Sequence, residues 1–528
     1  MRIQTIFCLL LLSVTISFGF PGEVVKEFPA PQSRSTGLAW DGEHLWVADY
    51  KADKLFCLNA ETGSVVKSIP SPGFWPMGLA WDGEALWNVD EKQRAIFKVD
   101  PETGVVLRHI MAPSSAPAGL AWDGETLWIS DRKSGDIMQI DLSDGTAVKI
   151  FSSLAHSAQG LAWDGTYLWA ANREKDELYM IDPDNGEVIL IANAPGPYAD
   201  GMAWDGRYLW NVDYETNTVY QLVRKDDDLY SLDEPRHARV ILTHEAFVEG
   251  QGNLRSLDVH FAIPEDRPYQ KIQNIKWQPE NYERVKDRWL QQFAYFHYED
   301  VAAPASVKSV MTVDAEISAV HYYIFPDKVG SFEDIPEDIK ERFTMNGSKY
   351  LMNDPFIQKT LKKVIGDETR PYWVARRIFD YVRETLEYEM VGGWNTAPVV
   401  LQRGTGSCSE YTFSFIALCR AAGLPARYVG ALVVRGDDAS IDRAFHRWPE
   451  VYLPNFGWIP MDPQGGDDPL SRDRAMNIGH LPNRFLITTQ GGGDSEFLGW
   501  YYNSNEHYTT DPQVRVDIDN FGEWEPLE

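Results

Sequence analysis

A chain of 528 residues is too long to fold around one core, and its length points to roughly two to four domains. Hydrophobic residues make up 44% and aromatics 13%, which excludes wholesale disorder. The formal net charge of −29 sets a broad negative field against phosphate, which argues against nucleic acid and anionic membrane surfaces as partners.

The N-terminus reads as an export signal over residues 1–22. Arg2 supplies the positive end, and Ile6 to Phe20 is an almost unbroken apolar run ending around Gly19 and Gly22. The run is too short for a bilayer span, and no later segment is apolar for long enough. Cys8 lies inside the run and not just after it, which argues against a lipid anchor. The mature chain is expected to be exported, to a periplasmic or extracellular compartment. Cleavage would leave Cys57, Cys408 and Cys419, an odd number with no Cys-x-x-Cys pair, so no disulfide framework is expected.

Residues 23–228 are repetitive. The segment Gly-Leu/Met-Ala-Trp-Asp-Gly begins at Gly37, Gly78, Gly119, Gly160 and Gly201, always 41 residues apart. A second tryptophan follows in register at Trp46, Trp87, Trp128, Trp169 and Trp210, then Asp49, Asp90, Asp131, Asn172 and Asp213. A strict period of this length means one supersecondary unit copied five times. Each copy reads as four short strands, with Asp-Gly at a tight hairpin, which is the size of a propeller blade. An orphan strand at 23–28 would pair with the incomplete last copy and close a five-bladed β-propeller. The repeat resembles those of five-bladed propellers such as the plant-type glutaminyl cyclases. The tryptophans are expected to pack between blades and the recurring Asp/Asn to cap turns, with a cation held near the axis as the alternative. A protein or polysaccharide ligand would use the loops at one end of the ring.

Residues 229–325 alternate apolar and polar in short runs, which suggests a small β-sandwich with Trp277 and Trp289 in its core. Its histidines are scattered and form no zinc motif, and no cofactor or metal is expected.

From 326 to 528 the pattern becomes helical and then mixed. An amphipathic helix starts at Pro371, and Ser407 with Glu410 forms a capping box that starts another at Cys408. Positions 408, 411, 412, 415, 419 and 422 are its expected buried face. The helix start places the Cys408 thiol where unpaired N–H groups and the dipole favour a thiolate. Farther on, Phe445 to Leu453 reads as a strand, 454–457 as a turn and Trp458 to Asp462 as the return. His446 and Asp462 then lie near one another across the hairpin, so an imidazole can take the thiol proton while a carboxylate orients it. Pro449 is expected to mark a bulge or an edge. Gln402 and Trp394 are candidates for a second oxyanion donor beside the Cys408 N–H.

The sequence Gly-x-Cys-x-Glu around Cys408, Arg-Ala-Ala-Gly-Leu-Pro-Ala-Arg from Arg420, His-x-Trp-x-Glu-Val-Tyr from His446 and Gly-Trp-Ile-Pro-Met-Asp-Pro from Gly457 resembles the transglutaminase-like superfamily. That resemblance implies a papain-like α+β domain with Cys408 as nucleophile, His446 as general base and acid, and Asp462 as orienting residue. The expected function is cysteine-dependent hydrolysis of an amide in a peptide or protein substrate, through a thioester. The alternatives are a protein-glutamine transglutaminase, and a propeller scaffold with a vestigial triad.

Overall fold

The structure, a computed structural model, describes residues 19–152, 157–225, 229–390, 394–436, 440–466 and 468–527. The expected export signal lies, through residue 18, outside the described residues.

Between Val24 and Val223, twenty strands form five four-stranded antiparallel sheets. The first strand of each sheet adjoins the first strand of the next, and that of the fifth returns to that of the first. Repeat glycines permit this closeness. A Cβ on Gly119 would lie 2.2 Å from the Gln159 carbonyl oxygen, and one on Gly201 would lie 2.7 Å from the Gly37 Cα. The orphan strand Val24–Pro29 pairs antiparallel with Thr218–Val223 and completes the fifth sheet, as the sequence leads one to expect. The repeat aspartates act in two registers. In the Trp-Asp-Gly hairpins, Asp41, Asp82, Asp123, Asp164 and Asp205 each accept an indole N–H from the tryptophan five residues on, at 2.7–2.8 Å. Asp49, Asp131, Asn172 and Asp213 accept backbone N–H groups of the following turn. These oxygens cap turns, as the sequence leads one to expect.

Two further sheets face each other across a core that includes Val240, Leu257, Phe261, Met311 and Trp524. One has the order Gln270–Gln278, Ala305–Tyr322, Tyr230–Gly250, Val514–Pro526, Ser440–Asp442; the other runs Glu283–Lys286, Gln292–Ala302, Asn253–Ala262, Ser504–Thr510. Trp277 is buried in that core, as expected; Trp289 is buried outside it, stacked on Phe343 with centroids 5.7 Å apart. One expectation needs correcting. The strands Ser504–Thr510 and Val514–Pro526 pair with Asn253–Ala262 and Tyr230–Gly250, so the chain after residue 326 does not stay in one unit. Unpaired edges of two long strands are covered by the returning C-terminus.

The remaining residues build a four-stranded sheet ordered Gly457–Pro460, His446–Leu453, Ala426–Val433, Phe485–Gly491. The helix Cys408–Ala421 lies against it. Helices Pro355–Ile365, Pro371–Thr385 and Ala397–Arg403 also adjoin that helix. In consequence residues 409–420 are buried on every side, not along the single stripe read from the sequence. Pro449 is neither bulge nor edge: it pairs with Tyr428 in unbroken register. Its missing N–H falls on the side of Gly457–Pro460, where that ladder ends with a single bond from the Met461 N–H to the Pro449 carbonyl at 3.0 Å.

The fourth sheet of the ring docks on this part of the molecule. Its outer strand Val188–Asn193 is almost wholly buried, whereas the outer strands of the first three sheets are largely exposed. Glu187 anchors the contact, bonded to Arg376 and Arg474 at 2.6 Å and to the Ser471 hydroxyl at 2.8 Å. Among the described residues no helix is long and apolar enough to cross a membrane.

Candidate active site

Cys408 opens its helix. The Glu410 carboxylate turns away from the sulfur and back onto the chain, accepting from the Ser407 N–H at 3.1 Å and the Asn395 N–H at 2.9 Å and pairing with Arg403 at 2.9 Å. A fully buried carboxylate is thus neutralised without opposing a thiolate.

His446 begins the strand beside the helix. Its imidazole packs against the rings of Trp448 and Phe485, with centroids 5.5 and 5.7 Å away, and those two rings touch each other. Nε2 lies 2.7 Å from Asp462 Oδ2, which leaves the other ring nitrogen for the sulfur. The Asp462 Oδ1 accepts from the N–H groups of Gln464 and Gly465 at 3.1 and 3.3 Å, which fixes the carboxylate plane. Burial lowers the histidine's proton affinity, but the Asp462 charge and hydrogen bond, with the Cys408 sulfur, push its pKa up to about 10. Burial likewise raises the Cys408 thiol, but the His446 hydrogen bond and charge and the neighbouring Arg447 bring it below its ordinary value. Both directions favour a thiolate–imidazolium pair.

Arg447 was not singled out by sequence reasoning. It is fully buried, its backbone N–H is directed to the Cys408 sulfur, and its guanidinium faces the rings of Tyr502, Tyr428, Trp394 and Phe413 at 4.2–5.1 Å. A buried cation among aromatic faces supplies positive potential next to the thiol. The only sequence signal is a basic residue beside the histidine, between it and Trp448 on the strand His446–Leu453.

These groups open on a cleft of about 690 Å³ lined by Cys408, His446, Asp462, Trp394, Tyr502 and Asn477. Trp394 therefore does lie in the site, in a positive-φ conformation and against Tyr501. Gln402 does not: it is exposed, and its amide donates to the Pro398 carbonyl of its own helix at 2.9 Å, so it is withdrawn as an oxyanion donor. Glu450 of the same motif serves structure, paired with Arg267 and Arg427 at 2.7 and 2.8 Å and tying the sheet to the sandwich.

The other cysteines lie elsewhere. Burial pushes the Cys57 thiol up to about 11 and the Cys419 thiol well above its ordinary value, so both remain protonated. Asp41, His44 and Cys57 bring potential metal ligands within 4.8 Å of one another in the first sheet of the ring, away from the cleft. The Asp41 carboxylate there accepts the Trp46 indole, as its counterparts do.

A helix-borne cysteine beside a strand-borne histidine points to a cysteine hydrolase or acyltransferase family. Residues 358–463 match the Transglutaminase-like superfamily, and the chain carries a domain of that family. An uncharacterized protein of Haemophilus influenzae is 22% identical over an alignment of 246 residues that covers 40% of this chain and 64% of that protein. The match thus spans under two thirds of that relative's length. Among solved structures, "a putative cysteine protease" from Cytophaga hutchinsonii aligns with TM-score 0.40 and 16% identity, over 55% of this chain and 93% of its own. The glutaminyl cyclase of Myxococcus xanthus aligns with TM-score 0.34 and 17% identity, over 38% of this chain and 94% of its own.

Proposed function

We propose that Cys408, His446 and Asp462 form the catalytic triad of an exported cysteine hydrolase that cleaves an amide bond in a peptide or protein. The observation that carries this reading is geometric: Cys408 opens its helix on the same cleft as His446, whose Nε2 lies 2.7 Å from Asp462 Oδ2. In the first step the thiolate attacks the amide carbon, and the oxygen takes the negative charge near the Cys408 N–H at the helix start. The His446 imidazolium then gives its proton to the departing amine as the C–N bond breaks, leaving a thioester. Water, losing a proton to the now neutral imidazole, attacks the thioester carbon, and the acid leaves as the thiolate is restored. The five-sheet ring is read as a five-bladed β-propeller that positions the enzyme or recruits substrate.

Mass spectrometry of the protein after exposure to amide-based electrophilic probes tests the assignment. Probe mass on the peptide containing Cys408, absent in His446→Ala, is the expected result. Labelling of Cys57 or Cys419 in its place would overturn it.

A further inference from the structure

The five repeats are identical where they pack and different where they face the axis at one end. Immediately after the turn-capping Asp/Asn, the residues in register are Tyr50, Glu91, Arg132, Arg173 and Tyr214. Immediately before the repeat glycines they are Thr36, Met77, Ala118, Gln159 and Asp200, all buried. All five of the first set and four of the second line one cavity of about 200 Å³. The opposite end of the axis is lined only by the repeated Leu/Met-Ala-Trp and encloses about 70 Å³. Packing alone gives no reason for one end to be varied and polar while the other stays uniform.

Two polar atoms at this mouth lack partners. Gln159 is 1% exposed; its Nε2 donates to Ser157 Oγ at 3.1 Å, while Oε1 has no partner among the described residues. The Arg132 Nε is likewise buried without one. Leaving such groups unpaired is costly unless a ligand meets them. One cation at the mouth also stands outside any ion pair among the described residues. Arg132 pairs with Glu91 at 2.5 Å, but Arg173 has no carboxylate partner among the described residues. Burial pushes the Asp200 carboxyl up to about 8, helped by the Asp213 and Glu91 charges and against the pull of Arg173 and Arg132, so Asp200 does not serve as that partner near neutral pH. On the aromatic side, Tyr50 and Tyr214 lie nearly parallel with centroids 6.4 Å apart, and Trp75 is 45% exposed.

We propose that this axial mouth binds a small monocarboxylate with a ring-shaped body, its carboxylate taken by Arg173 and the Arg132 Nε–H and its body laid against Tyr50, Tyr214 and Trp75. The cavity holds a group about the size of one amino-acid residue, so the ligand is a free acid or the carboxyl-terminal residue of a peptide. The site rests on the reading of the ring as a recognition module and is independent of chemistry at Cys408.

Calorimetric titration of the full chain tests it, with N-acetyl-phenylalanine, a longer peptide ending in phenylalanine, and the carboxamide of each. The acids should bind at least roughly tenfold more tightly than their amides. Arg173→Ala should erase that preference, Arg173→Lys should keep part of it, and neither should change the alkylation rate of Cys408. Asp200 faces Arg173, Arg132, Asp213, Glu91 and Tyr214. Its ionisation puts a negative charge beside the ligand, so acid affinity should fall as pH rises through about 8, and Asp200→Asn should remove the fall. Tighter binding of the peptide acid identifies a chain terminus as the ligand, and equal binding identifies a free acid. Equal affinity for acid and amide, a preference that survives Arg173→Ala, or no binding of either acid at millimolar concentration would overturn the proposal, whatever the outcome at Cys408.

Discussion

The Nε2 of His446 lies 2.7 Å from Oδ2 of Asp462, although the hairpin carrying them does not place them opposite one another. Continuing the ladder from Glu450–Pro460 puts Asp462 opposite Trp448, two positions from His446 and on the same face. A diagonal pair at this separation suits a carboxylate reaching an imidazole. The pair also keeps His446 charged while the thiol is ionised.

This arrangement fixes a pH window. The His446 pKa is raised to about 10 and the Cys408 pKa is lowered, so the thiolate is lost as pH falls through the depressed thiol value. The imidazolium is lost as pH rises through about 10, and amide cleavage should fail on both sides. Iodoacetamide alkylation of Cys408 reads only the lower limb. It should be rapid well below pH 8.5, the approximate pKa of an ordinary cysteine, and should slow about tenfold or more at pH 7 in His446→Ala. An ordinary thiol curve indifferent to His446→Ala would favour a scaffold with a vestigial site.

Cys408→Ala should abolish hydrolysis, and Asp462→Asn should lower kcat by roughly 10²–10⁴. The asparagine keeps the geometry but not the charge that holds the imidazolium. Steady-state rates on a fluorogenic peptide check the order, and full activity of Cys408→Ala would end the enzymatic reading.

Arg447 should act on the same thiol from the other side. Arg447→Met removes the cation among the rings of Tyr502, Tyr428, Trp394 and Phe413 and should move the alkylation midpoint upward by about one pH unit. Arg447→Lys keeps the charge without the planar stacking and should move it less. A pH profile unchanged in a folded Arg447→Met protein would reduce the residue to packing.

How much of this was legible depends on whether the signal was local. The five-sheet ring was readable because Gly, Trp and Asp recur in register and each has a local role, the indole on Asp41 being one instance. Cys408, His446 and Asp462 were readable because cap, strand and turn lie beside them in sequence. Gln402 failed as a site residue because its orientation depends on helical phase within Ala397–Arg403, which turns it to solvent. The pairing of 504–526 with 230–262 was hidden, since strand pairing across more than two hundred residues leaves no local trace. The docking face did leave one. The fourth sheet's outer strand reads Val-Ile-Leu-Ile-Ala where the first three sheets carry Lys67, Arg108 and Lys149.

The glycines of the ring can be tested singly. Gly119→Ala would put a Cβ 2.2 Å from the Gln159 carbonyl, a backbone atom that cannot rotate away. The two inner strands must part, at about 3 kcal/mol or more. Gly124→Ala is the contrast. It meets no atom within 4 Å and is penalised only for its φ of +103°, by roughly 1–3 kcal/mol. Thermal unfolding of the two variants should rank Gly119→Ala as the less stable.

Glu187 provides the last test, of how the ring is held. Burial alone would raise its carboxyl pKa, but Arg376 and Arg474 pull it below the ordinary 4.5. A depressed carboxylate stabilises the folded state above its unfolded pKa, and that contribution is lost as pH falls through the depressed value. Glu187→Gln leaves Arg376, Arg474 and Ser471 with a weaker acceptor. Because the side chain is 20% exposed, the loss should be about 2–3 kcal/mol and not the full 3–5 kcal/mol of a completely buried pair. In chemical denaturation the difference between wild type and variant should hold from neutral pH down to about 4.5 and shrink below it. Limited proteolysis should show earlier cleavage between the ring and the domain carrying Cys408. A difference that persisted undiminished at low pH would mean that Glu187 acts through packing and not through its charge.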